Sequence, residues 1–190
     1  MEWQENFGNW VLIPSRPKGI IHFLGGAFVA TAPHVTYRCL LEILANQGYG
    51  VIATPFVNTL DHLEMAENVL SSFENCLNHL YNSRMLRKKS LPIYGIGHSM
   101  GCKLHLLIGS LFPIARAGNI LISFNNFAAR DAIPLVEQIS SVVKVEFTPS
   151  PKITNSLIQK RYQIRRNLLI KFNDDNIDPV SYTHLRAHET

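Results

Sequence analysis

Gly97-His98-Ser99-Met100-Gly101 fits Gly-x-Ser-x-Gly, a spacing that can present a serine hydroxyl as a nucleophile. A sharp turn from strand into helix lifts the serine above a sheet edge. It also crowds the positions two before and two after, where Gly97 and Gly101 stand. Alone, the pattern arises by chance in about one chain of this length in twenty, so its surroundings must decide. Leu91–Ile96 reads as the strand before it, and Leu104, Leu107, Ile108 and Leu111 supply an apolar face for a helix after it. A glycine-rich turn with an incidental serine satisfies the same string.

A serine that attacks a carbonyl needs N–H groups aimed at the oxygen on which charge develops. One is the N–H of the residue after the nucleophile, here Met100. The other comes from the loop after an early strand, and His22-Phe23-Leu24-Gly25-Gly26-Ala27 stands at that place. Its donor would be Gly26 or Ala27. A plain Gly-Gly turn is the competing account.

The rest of the chain must position these groups. Val11–Pro14 and Ile20–Leu24 are short apolar runs divided by turn residues, which reads as a hairpin entering a sheet. Thr36–Asn46 carries Tyr37, Leu40, Leu41 and Leu44 at helical spacing, and Val51–Ala53 begins the next strand. From about Leu60 to Arg84 one long amphipathic helix is expected. A helix over Met100–Leu111 stops at Pro113, and Asn119–Phe124 has the unbroken apolar run of a strand covered on both faces. Residues 125–139 are open between a short helix and a lid. Val142–Phe147 could be a strand, Ile153–Tyr162 a short helix and Asn167–Phe172 the last strong strand. Alternating strands and helices predict an α/β fold, a three-layer αβα sandwich around a mostly parallel sheet. Ligands of such sheets bind beyond the carboxyl ends of the strands, so the loops after Leu24, Ala53, Ile96, Phe124 and Phe172 should line the site.

The chain has 190 residues, enough for one domain, 46% hydrophobic and 17% charged, which argues against disorder. The net charge of +4 resides in two short clusters, Arg84-Arg87-Lys88-Lys89 and Lys160-Arg161 with Arg165-Arg166. A nucleic-acid binder would concentrate such charge with aromatic residues interleaved; here the first cluster closes an expected helix, and a solvated helix end explains it better than a binding patch. The three cysteines, Cys39, Cys76 and Cys102, form no Cys-x-x-Cys pair, which suggests a reducing compartment and no structural zinc. No apolar run is long enough to span a bilayer, and Met1–Glu5 shows the pattern of neither a secretory signal nor a transit peptide, so the expectation is a cytoplasmic protein or one whose leader lies outside this sequence. Val180–Thr190 continues no periodic element and resembles a translated adapter tail. The natural domain is therefore expected over residues 1–179, breaking off near Pro179.

Four segments together resemble the domain-of-unknown-function family thirteen-fifty of cyanobacteria and plants, within the α/β-hydrolase group. They are Ile21–Phe28, Gly95–His105, Asn119–Asn126 and Arg165–Phe172. The resemblance implies an α/β-hydrolase fold and, in plants, a chloroplast setting, but no substrate. Leu168–Pro179 resembles the strand and acid loop of α/β-hydrolases, where a carboxylate orients a histidine. Asp175 is the best candidate for that acid, with Asp174 and Asp178 behind it, and an ordinary Asx-rich turn is the alternative. The order in this fold is serine, acid, histidine. After Asp178 only His184 and His188 remain, both in the suspect tail; of the earlier histidines His22 and His34 could reach the site, but a packing or surface role suits each better. Without its base the chain as written is expected to be at best weakly active.

The leading expectation is a serine hydrolase of esterase or lipase type acting on a small-molecule ester or acyl substrate, with no metal or organic cofactor. The rival is a non-catalytic binding or plastid accessory protein of the same fold, with Asn125-Asn126 in a polar pocket.

Overall fold

The computed structural model describes residues 1–87, 90–124, 126 and 146–172. Seven strands form one sheet: β1 (Gln4–Asn6), β2 (Asn9–Leu12), β3 (Gly19–Leu24), β4 (Tyr49–Ala53), β5 (Ile93–His98), β6 (Gly118–Ile122) and β7 (Asn167–Ile170). Their spatial order is β1-β2-β4-β3-β5-β6-β7. From β4 to β7 every pairing is parallel, while β1 and β2 join antiparallel. All six residues of the central β3 are buried, as its apolar run demands.

Helices α1 (Pro33–Thr36) and α2 (Arg38–Asn46) carry the chain from β3 to β4. Helices α3 (His62–Asn82), α4 (Met100–Leu111) and α5 (Pro151–Arg161) are the others among the described residues. On one face of the sheet Leu41 and Ala45 of α2 pack on Ile21, Phe23, Val51, Ala53 and Ile96. On the other, Met65, Ala66, Val69 and Leu70 of α3 meet Leu104, Leu107 and Ile108 of α4 over Leu24. Ile158 of α5 with Tyr162 and Ile164 closes against Cys102, Leu106 and Leu121. The α/β three-layer expectation is borne out.

Some local expectations are corrected. Val11–Pro14 and Ile20–Leu24 do not form a hairpin, because β4 inserts between β2 and β3. The true hairpin is β1–β2, turning at Phe7 and Gly8 with φ of 50° and 72°. A two-residue hairpin turn wants two positive φ values, and a phenylalanine at the first position hides that signal. The helix expected over Thr36–Asn46 is broken at Tyr37 (φ −108°, ψ 18°), which leaves the short α1 ahead of α2. The long helix starts two residues later than expected, because the Asp61 carboxylate accepts from the N–H groups of Leu63 and Glu64, both at 3.0 Å. The possible lid over 125–139, most of the possible strand at 142–147, and the boundary at Pro179 lie outside the described residues.

Candidate active site

Ser99 stands between β5 and α4 with φ 52° and ψ −113°, a conformation that costs an ordinary residue energy and marks a forced turn. Its N–H donates to Ile122 O of the neighbouring strand at 2.9 Å, and its own carbonyl accepts from Cys102 N–H at 3.0 Å. Backbone bonds on both sides therefore over-determine the bend. Both glycines have steric reasons. A Cβ on Gly97 would lie 2.5 Å from Cys102 N, and one on Gly101 would drive into Leu24 O. The first turn of α4 thus rests directly on the end of β3.

That contact brings the second constellation to the first. Gly101 N–H donates to Gly25 O at 3.0 Å, so the Gly25–Ala27 loop lies against the turn that carries Ser99. Met100 is the first residue of α4, and its N–H has no acceptor among the described residues. Gly26 N–H is engaged: it donates to the Tyr37 hydroxyl at 2.8 Å. Of the two expected loop donors this leaves Ala27, half-buried, whose N–H has no acceptor among the described residues. The Tyr37 hydroxyl also lies 2.8 Å from His98 Nδ1. His98 therefore faces the α2 side, as the alternation along β5 requires.

Asp175 lies outside the described residues, as do Asp174, Asp178, His184, His188 and Asn125. The two earlier histidines are placed elsewhere. His34 stacks on Trp10 with ring centroids 3.5 Å apart. His22 is wholly buried in mid-sheet, with Nδ1 3.0 Å from the Arg116 guanidinium and Nε2 3.2 Å from the Thr54 hydroxyl. Thr54 in turn donates to Asn9 Oδ1 at 2.6 Å. His105 of α4 meets His22 edge-on at 5.0 Å. Burial and the nearby Arg116 charge keep both imidazoles neutral, with His22 well below the usual range and His105 down at about 3. These histidines belong to a polar seam inside the core. Asn126 is also occupied structurally, donating to Pro151 O at 3.0 Å and Asn155 Oδ1 at 2.9 Å at the start of α5.

Periodicity does not reveal a second buried cluster. Lys103, one turn into α4, is 2% exposed, with Nζ 5.3 Å from the Phe147 ring centroid. The other side of that ring's neighbourhood is His62, with centroids 4.3 Å apart. Desolvation lowers Lys103 to about 8 against the pull of Glu146, and lowers His62 to about 4 with help from the Lys103 charge. Cys102 is wholly buried, its thiol donating to Gly97 O and Ile122 O at 3.1 and 3.2 Å. A cleft of about 360 Å³ opens between the loop after β4 and α3, lined by Pro55, Phe56, Val57, Met65 and Val69 among others. No residue of the Ser99 turn lines it. Among the described residues no three His, Cys, Asp or Glu side chains converge as metal ligands, and no described helix is long and apolar enough to cross a membrane.

A mostly parallel sheet flanked by helices, with a serine on a strained strand-to-helix bend, defines an α/β-hydrolase fold. Solved structures agree. The chain is similar to FphF, a fluorophosphonate-binding serine hydrolase of Staphylococcus aureus, at 14% identity and TM-score 0.58, over 86% of this chain and 72% of that one. It is similar to a structure reported with the metagenome-derived lipolytic enzymes LipS and LipT, at 18% identity and TM-score 0.53, over 93% and 80%. It is also similar to a dienelactone hydrolase of Anabaena variabilis, at 14% identity and TM-score 0.51, over 95% and 88%. At such identities the likeness is one of fold. No curated protein matches the sequence. The chain belongs to the DUF1350 family, proteins of unknown function, whose model matches residues 2–187.

Proposed function

We propose that this protein is a serine hydrolase of esterase or lipase type, with Ser99 as the nucleophile. The observation that carries the reading is the Ser99 backbone, at φ 52° on the β5–α4 turn, followed by the Met100 N–H and joined through Gly101 N–H and Gly25 O to the loop that bears the Ala27 N–H, both donors without an acceptor among the described residues. Ser99 Oγ would attack an acyl carbonyl of a small-molecule ester. The Met100 and Ala27 N–H groups would receive the developing oxyanion, each worth about a hundred- to a thousandfold in rate. Asp175 would orient the histidine that takes the serine proton and returns it to the leaving alcohol. Water then releases the acid from the acyl-enzyme by the same route. The chloroplast setting implied by the family resemblance belongs to this proposal as well.

The test is labelling of the full-length protein with a fluorophosphonate, which reports an activated serine. Labelling lost in Ser99→Ala is the expected result. A folded protein that resists the probe would sink the enzyme reading and favour a non-catalytic binder.

A further inference from the structure

The Tyr37 side chain joins three pieces of the candidate site that the chain brings together from far apart. Its hydroxyl accepts from Gly26 N–H at 2.8 Å and lies 2.8 Å from Nδ1 of His98, the residue before Ser99. Its ring fills the space where a Gly25 side chain would stand, 2.8 Å from that Cβ position, and meets Phe23 of β3 edge-on at 4.7 Å. Tyr37 also sits at the break between α1 and α2, where its N–H donates to Pro33 O and its carbonyl accepts from Leu41 N–H, both at 3.0 Å. The backbone that holds the phenol is thus tied down on both sides.

Burial raises the phenol above its ordinary value, so it keeps its proton at neutral pH. One lone pair takes the Gly26 N–H, which leaves the hydroxyl proton and a second lone pair for the bond with His98 Nδ1. The opposite side of the loop is held by Gly101 N–H on Gly25 O. Gly25 and Gly26 are therefore clamped between α4 and Tyr37, and the next residue is Ala27.

We propose that Tyr37 is a positioning residue: by holding Gly26 N–H against the His98 side of the β5–α4 turn, it sets where the Ala27 N–H points. The inference rests on the serine-hydrolase reading. Tyr37 touches no reacting atom. It takes the Gly26 N–H out of competition and leaves the Ala27 N–H as the loop's donor to the oxyanion. A donor displaced by about an ångström loses much of its effect in the transition state while substrate binding changes little.

The test uses the full-length protein, p-nitrophenyl butyrate as the ester and phenylboronic acid as the tetrahedral adduct of Ser99. Tyr37→Phe removes only the hydroxyl. It should lower kcat between about tenfold and a hundredfold, with KM within about twofold. Affinity for the boronate should weaken by a similar factor, a loss that a merely structural role would not produce. His98→Leu should copy the defect, and His98→Asn, which keeps an acceptor near the place of Nδ1, should recover most of the rate relative to His98→Leu. If Tyr37→Phe disturbs folding, the His98 pair carries the test. A parent that takes the fluorophosphonate, with a Tyr37→Phe variant matching it in kcat and boronate affinity, overturns this proposal alone. A folded parent that neither cleaves the ester nor takes the probe overturns the hydrolase reading and this proposal with it.

Discussion

Lys103 is 2% exposed on α4, and its ammonium is held there against desolvation. Replacing it with an apolar side chain of similar length should therefore stabilise the fold. We expect Lys103→Met to gain about 2–3 kcal/mol at pH 7, read as a raised thermal midpoint. The pH dependence follows from the downward shift. Between about 8, its value in the fold, and the ordinary 10.5, the unfolded chain binds more protons than the native one. The parent therefore gains stability across that window as pH rises, and the variant has no lysine there to titrate. Its advantage should shrink from pH 8 to 10.5, and an undiminished advantage at pH 10 would count against the buried-charge account. Ser99, at the N-terminal end of the same helix, is half-buried on its strained turn.

At the scale of elements, the site depends on how closely α4 approaches β3. Gly101→Ala would push a methyl group into Leu24 O, which is backbone and cannot rotate away. It should cost about 1–3 kcal/mol in chemical denaturation and slow fluorophosphonate labelling, because the same contact holds Gly25 beside the turn. Asp61→Ala should cost about 1 kcal/mol through two lost capping bonds at the start of α3, without slowing the labelling. Elements with strong local signals were legible in the sequence. Helix α4 has the bounds expected, since Ser99 and Pro113 frame an unbroken apolar stretch, and β3 differs from its expected span by one residue. Non-local choices were not legible. Nothing in Val11–Pro14 says that its partner is β4 rather than β3, and β1 is three polar residues with no alternation to detect. Tyr37 looked like one more apolar position on a helix face. Its role comes from a hydroxyl meeting residues 11 and 61 positions away, which periodicity cannot show. The same holds for the seam of Asn9, Thr54, His22 and Arg116, assembled from four separate segments.

For the molecule as a whole, that seam sets a limit in acid. His22 and His105 are buried neutral beside the Arg116 guanidinium, with Phe73 stacked on His22 and Glu74 the acidic group acting on Arg116. Their values in the fold are lowered, so the unfolded chain binds more protons as pH drops below the ordinary 6.5. Stability present above 6.5 is therefore lost on the way down, for His105 until about pH 3. Urea midpoints should fall through this window, each histidine contributing up to about 1.4 kcal/mol per pH unit. His105→Gln should flatten the slope, and an unchanged slope would assign the acid sensitivity to other groups.

The β1–β2 hairpin places the first strand at one rim of the sheet, with β2, β4 and β3 between it and β5. At the usual strand spacing, four steps separate that rim from the Ser99 strand by roughly 19 Å. An affinity handle or surface tether fused ahead of Gln4 would therefore hang from the side of the molecule remote from Ser99, so immobilised protein should keep that turn open to solution.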